Sequence, residues 1–281
     1  MKKIAVIPTL LTLGNAVCGF VAIAWASKIG QGQSTFSSEW CFALSGWFII
    51  AAMGFDALDG YVARLSKTAS EFGMQLDSLC DAISFGLAPA FLVLKLGPDW
   101  SNERLHQALA VIAALYMACT ILRLARFNVE SKIDPNAGKR FRGLPSPAAA
   151  GCIAALAIMR GSITEAHFAA LAERWPALQP GLITRGLEVA ALLGALVAAL
   201  LMVSRVPYPH LTKQILRGRK PFSHLVYVIV FAVILILIRE LALVLIFWLY
   251  ALSMPVLNMW VRMLRRVVPP PAPELDRPAP Q

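Results

Sequence analysis

The chain has 281 residues, 58% of them hydrophobic and 15% charged, and a formal net charge of +10. Its apolar residues lie in long runs, which excludes a soluble globular core and points to an all-α polytopic membrane helix bundle, since about 20 consecutive apolar residues span a bilayer as a helix. No zinc-finger or RNP-type motif accompanies the basic excess, so its expected partner is membrane lipid and not nucleic acid.

About eight transmembrane helices are expected, in chain order at residues 10–26, 40–63, 72–96, 105–122, 146–159, 187–203, 222–238 and 241–260. These runs lack the ten-residue alternation of a membrane barrel. The first follows Lys2 and Lys3 and ends in Ala24-Trp25-Ala26, the outline of a cleavable signal peptide. It is long enough to span, however, and is expected to be retained. After the short fifth run, residues 164–175 place Phe168, Leu171 and Trp175 at helical spacing, which predicts a surface helix. Arg239 and Glu240 interrupt an apolar stretch too long for one span, and are read as a tight turn between the last two helices. One membrane domain is therefore assigned to residues 1–268, and the proline-rich residues 269–281 to a disordered tail.

Charge gives an independent reading of topology, because cytoplasmic loops carry an excess of Lys and Arg. With eight spans both termini share one side, and nineteen of the 26 Lys and Arg residues fall there. The other side has seven: Lys28, Lys95, Arg104, Arg160, Arg174, Arg185 and Arg239. An N-in, C-in arrangement follows. The five cysteines are scattered through the spans without a C-x-x-C pair and read as small hydrophobes. His106, His167, His210 and His224 form no cluster with an acid or a nucleophile.

Four carboxylates sit where they are costly, Asp56 and Asp59 near the inner end of the second span and Asp77 and Asp81 near the inner start of the third. At 100° per residue Asp56, Asp59, Gly60 and Ala63 share one helical face, and Asp77 and Asp81 lie one turn apart on the next helix. Two antiparallel neighbours could gather all four acids around one site. Grouped carboxylates repel unless a cation neutralises them, and hard oxygen ligands suit Mg²⁺, Mn²⁺ or Ca²⁺ more than zinc. Such a divalent metal can neutralise a diphosphate leaving group. Gly60 and Ala63 form a small-residue notch, open either to ligand approach or to close helix packing, with Arg64 at its rim.

These residues spell D-x-x-D-G-x-x-A-R, then eight residues, then G-x-x-x-D-x-x-x-D, the last part carried by Gly73, Asp77 and Asp81. The pattern resembles the complete signature of the CDP-alcohol phosphatidyltransferase family. Eight fixed positions over 26 residues make the match highly specific. The resemblance implies that Asp56, Asp59 and Asp77 hold divalent metal, and that Asp81 borders it and is the catalytic general base. It also implies that Asp59, Gly60, Ala63, Arg64, Gly73 and Asp77 border CDP. Residues 15–20, 81–86, 123–128 and 141–147 resemble the serine-accepting branch of that family, whereas Thr9 stands where an asparagine is expected after Pro8.

Transfer of a phosphatidyl group from CDP-diacylglycerol to L-serine, giving phosphatidylserine and CMP, is the activity the resemblance implies. It further implies a homodimer in a bacterial-type inner membrane with the site facing the cytoplasm. Ser84, Arg123, Arg126 and Arg142 are candidates for serine or lipid phosphate, because arginine pairs bidentately with carboxylate and phosphate alike. Inside-positive topology is the alternative account of the three arginines. Charge counting leaves glycerol phosphate and inositol phosphate open as acceptors. A membrane prenyltransferase would fit Gly60, Ala63 and Arg64 poorly. A cation transporter would be expected to spread its acids along a path and not to group them at two helix ends.

Overall fold

The computed structural model describes residues 6–31, 36–66, 70–97, 103–133, 141–162, 180–208 and 239–267. Helices α1 (Val6–Ser27) and α2 (Ser38–Leu65) are followed by α3 (Glu71–Asp81), a π-helical turn (Ala82–Leu87) and α4 (Ala88–Leu96). Then come α5 (Glu103–Ile133), strand β1 (Phe141–Arg142), α6 (Ser146–Ser162), α7 (Pro180–Val203), strand β2 (Pro207–Tyr208) and α8 (Arg239–Val267). Six stretches are long and apolar enough to cross a membrane: Val6–Ser27, Ser38–Ala63, Glu71–Leu96, His106–Glu130, Thr184–Val203 and Glu240–Trp260. The protein is an all-α integral membrane bundle. The expected span at 222–238, the surface helix at 164–175 and the tail at 269–281 lie outside the described residues.

The short fifth run becomes α6, the central helix. It packs against α2, α8, α7, α4 and the π turn, and Ala149, Ala150, Cys152, Ile153, Ala154, Ala155, Ala157 and Ile158 are fully buried. Its seventeen residues are rich in Ala and Gly, whose small side chains let neighbouring backbones approach closely. Gly46 of α2 lies where an added Cβ would be 2.7 Å from the Ala154 carbonyl oxygen, so the α2–α6 contact is nearly backbone to backbone. By contrast α8 turns Leu241, Leu245, Leu249, Leu252 and Val256 outward. In hydrocarbon such a stripe needs no protein partner.

Three features depart from the sequence reading. Helix α5 runs to Ile133, eleven residues beyond its expected end, because residues 123–133 lose hydropathy but contain no Gly or Pro to stop the helix. At about 1.5 Å per residue its 31 residues exceed the hydrocarbon thickness and carry Arg123, Arg126 and Asn128 toward one rim. The Arg239–Glu240 pair forms the first turn of α8 and not the turn before it. An acidic residue at a helix N-terminus is favoured by the helix dipole, and the Glu240 carboxylate accepts from Ser162 Oγ at 3.2 Å.

The third departure is the antiparallel ladder of β1 and β2, with Phe141 opposite Tyr208 and Arg142 opposite Pro207. It ties the loop before α6 to the end of α7. Gly143 makes this possible: its φ is +86°, its N–H donates to the Val206 carbonyl at 2.8 Å, and the next N–H, of Leu144, reaches Leu201 at 3.0 Å. A Cβ at Gly143 would strike the Met202 carbonyl oxygen. Gly143→Ala is therefore expected to destabilise the protein by about 1–2 kcal/mol from the left-handed conformation alone, and by more through the clash with Met202. An unchanged thermal unfolding midpoint in detergent would count against this account of the ladder.

Candidate active site

The polar sequence between the second and third spans breaks the helix at Ser66 and restarts it at Ser70, whose hydroxyl accepts from the Gly73 N–H at 3.0 Å. A serine cap followed by Glu71 in the first turn is a strong helix start. It fixes the phase of α3, and with it the direction of Asp77. Helices α2 and α3 make little backbone contact with each other; α1 packs on both and sets their separation. Side chains therefore meet across a cleft.

Carboxylate oxygens of Asp56, Asp59 and Asp77 lie within 4.8 Å of one another, Asp59 buried and the other two half-buried. That spacing is no wider than opposite oxygens around one cation at about 2.0–2.6 Å from each. Asp77 Oδ1 is buried without a hydrogen-bond partner among the described residues. Each ionised pair at this range costs roughly 3–4 kcal/mol at an effective dielectric of about 20. An all-oxygen set with such repulsion fits a hard divalent cation, and the cluster is able to hold one.

Asp81 lies outside this group of three, within electrostatic range of Asp56 and Asp77. It is buried, and its Oδ1 accepts from Asn15 Nδ2 at 3.0 Å. Asn15 is fully buried in the middle of α1, and its backbone carbonyl accepts from Ser84 Oγ at 2.8 Å. A Cβ on Gly19 would stand 2.7 Å from the Ser84 Cα, so only glycine allows α1 to approach this closely. The π turn begins at the residue after Asp81, and the Ala88 N–H bonds the Ile83 carbonyl five positions back. Such turns shift helix phase and gather at functional sites. Here the turn buries Ser84, Phe85 and Gly86 against α1 and α5.

The remaining predicted residues are divided among three places. Gly60 and Ala63 are half-buried on the α2 face that carries Asp56 and Asp59, while Leu58 and Tyr61 on the opposite side are exposed. Arg64 belongs to the last turn of α2 and Gly73 to the first turn of α3. Arg123 donates from Nη1 to Ser146 Oγ at 2.6 Å and lies within electrostatic range of Asp56 and Asp81. Arg126 is drawn into an ion pair with Glu130 at 2.8 Å. Arg142 is held at backbone level in the β ladder. Nearby, Asn128 Nδ2 donates to Ser78 Oγ at 2.9 Å, which braces α5 against the residue following Asp77.

Asn15, Ser146 and Asn128 are not among the residues predicted for the site. For Asn15 the signal was present, since an amide in the middle of an apolar span has to find a polar partner. Which partner it finds is not written in its neighbours.

A family model described as CDP-alcohol phosphatidyltransferase matches residues 5–197. The chain is 31% identical over 207 residues to a CDP-diacylglycerol--serine O-phosphatidyltransferase of Helicobacter pylori, covering 73% of each chain. It is 28% identical over 208 residues to the protein of that name from Bacillus subtilis, covering 74% of this chain and 92% of the relative. A Methanocaldococcus jannaschii protein of the same name is 37% identical over 150 residues, 53% of this chain and 59% of the relative.

Proposed function

The chain belongs to the CDP-alcohol phosphatidyltransferase family, and from that premise we propose that it transfers a phosphatidyl group from CDP-diacylglycerol to L-serine, giving phosphatidylserine and CMP. The observation that carries this reading is the trio Asp56, Asp59 and Asp77 beside Asp81, which is separately gripped by Asn15. One group of acids is arranged to hold charge and one acid to move a proton.

Asp56, Asp59 and Asp77 would hold the divalent metal, with Asp81 at its border; Mg²⁺ and Mn²⁺ fit, and Ca²⁺ is compatible with the same oxygens. When bound, the ion supplies neutralisation of the diphosphate and polarisation of the phosphoryl group. Gly60, Ala63 and Gly73 leave room for the CDP group at the mouth of the cleft, with Asp59, Asp77 and Arg64 bordering it. Asp81 takes the proton of the serine hydroxyl, and that oxygen forms a bond to the lipid-linked phosphorus. The bond from this phosphorus to the bridging oxygen breaks, and CMP leaves. Asn15 holds the Asp81 carboxylate in orientation, and Arg123, fixed by Ser146, supplies positive charge at the acceptor side. Ser84 acts by pinning the π turn that follows α3 to α1.

The excess of Lys and Arg on the side of both termini supports a cytoplasm-facing site in a bacterial-type inner membrane. A homodimer is part of this reading, on the family resemblance alone. Among the described residues the acids that group do so at one place, which speaks against a cation transporter.

The acceptor is tested by competition among L-serine, glycerol 3-phosphate and inositol phosphate at equal concentration, with lipid products separated and CMP measured. Phosphatidylserine is expected to dominate. Mainly phosphatidylglycerol phosphate or an inositol lipid would overturn the serine assignment and leave the family assignment standing.

A further inference from the structure

The family model ends at residue 197, yet a residue beyond it, Tyr250, lies within electrostatic range of Arg123. Helix α8 runs antiparallel to α6: Glu240 meets Ser162 at one end, and Phe247 packs on Gly151 nearer the other. One further turn along α8 brings Tyr250 toward the level of Ser146, the residue that fixes Arg123. Tyr250 is half-buried and lies within electrostatic range of Arg123. Its ring centroid is 5.7 Å from that of Tyr208, and the Tyr208 hydroxyl donates to the Ala251 carbonyl at 2.8 Å. Tyr208 is itself paired with Phe141 in the β ladder, next to Arg142. The ladder thus locks the place of α8 against the loop before α6. The Tyr208 hydroxyl is occupied, whereas that of Tyr250 bonds none of the described residues.

We propose that Tyr250 of α8 completes the acceptor site, its hydroxyl donating beside the Arg123 guanidinium to the carboxylate of the amino-acid acceptor. A phenol donor next to a guanidinium matches an oxyanion, because charge-assisted hydrogen bonds from both converge on its oxygens. A lipid phosphate offers similar oxygens. Arg123 also lies within electrostatic range of Asp81, the base that must reach the acceptor hydroxyl, which favours the acceptor side for the pair. Acceptor choice then depends on a segment outside the part that carries the common phosphoryl chemistry.

This inference rests on serine as the acceptor, and the experiment separates the two. Full-length protein in mixed micelles is assayed for phosphatidylserine and CMP while L-serine and CDP-diacylglycerol are varied in turn. Tyr250→Phe removes one oxygen and keeps the ring against Tyr208. It is expected to raise KM for serine about 10-fold, the scale of a hydrogen bond to a charged group, with KM for CDP-diacylglycerol and kcat changed less than about 2-fold. With unmodified protein, L-serine amide, which lacks the carboxylate charge, is expected to show a KM raised by about the same factor or more, and Tyr250→Phe to add little to it. An unchanged serine KM, a rise only in the CDP-diacylglycerol KM, or a full additional rise with the amide would each overturn the proposal. Should the variant fail to fold, Tyr250→His, which keeps a donor, is compared with Tyr250→Leu; equal serine KM values would overturn it as well. Failure of the unmodified protein to make phosphatidylserine would instead sink the functional reading.

Discussion

Exchange of Asp56, Asp59 or Asp77 for Asn, one at a time, is expected to lower phosphatidyl transfer by about 100-fold or more, the scale for removing one charged or dipolar group from a preorganised site. Asn is nearly isosteric, so the change deletes a charge and leaves the shape. The three carboxylates repel one another across less than 4.8 Å, and each substitution relieves two of those repulsions. Thermal unfolding in chelator is therefore expected to be unchanged or higher in the variants, opposite in direction to their activity. That opposition separates a functional cluster from a structural one, for which activity and stability would fall together. Transfer by the unmodified protein is expected to vanish in excess chelator and to return when a divalent cation is added back. Full turnover in chelator would remove the metal assignment.

Asp81→Asn is expected to lower kcat by about 10²–10⁴-fold, the range for loss of a general base, while CDP-diacylglycerol binding stays within a few-fold. Asp81 lies outside the cluster of three and is held from behind by Asn15, an arrangement suited to orienting a proton acceptor. Asn15→Leu is expected to give a smaller loss of the same kind, because the carboxylate remains but is free to turn. Two measurements decide: equilibrium binding of the CDP-lipid and single-turnover CMP release. Near-normal turnover in Asp81→Asn would take that residue out of the base role. A parallel loss of CDP-lipid binding would move it to the substrate or metal site.

Two periodicities made much of this protein legible from its sequence. Apolar runs of membrane-spanning length marked the helices, because an unpaired backbone group in hydrocarbon is too costly for any other structure to lie there. The 3.6-residue repeat placed Asp56 and Asp59 on one face of α2, and an acid in such a run stands out because it needs a compensating partner. Both signals are local, and both survive without knowledge of neighbours. Only the tertiary structure decided which helix lies at the centre. Lipid and protein interior are equally apolar, so hydropathy cannot distinguish α6, buried on all sides, from α8, whose leucines are exposed on the outside of the bundle. For the same reason the partners of Asn15, Arg123 and Tyr208, 23 to 66 positions away, were not written in their surroundings. Close approach at Gly19, beside Ser84, and at Gly143, beside Met202, goes with these pairings, through shape complementarity between surfaces that come together only in the folded chain.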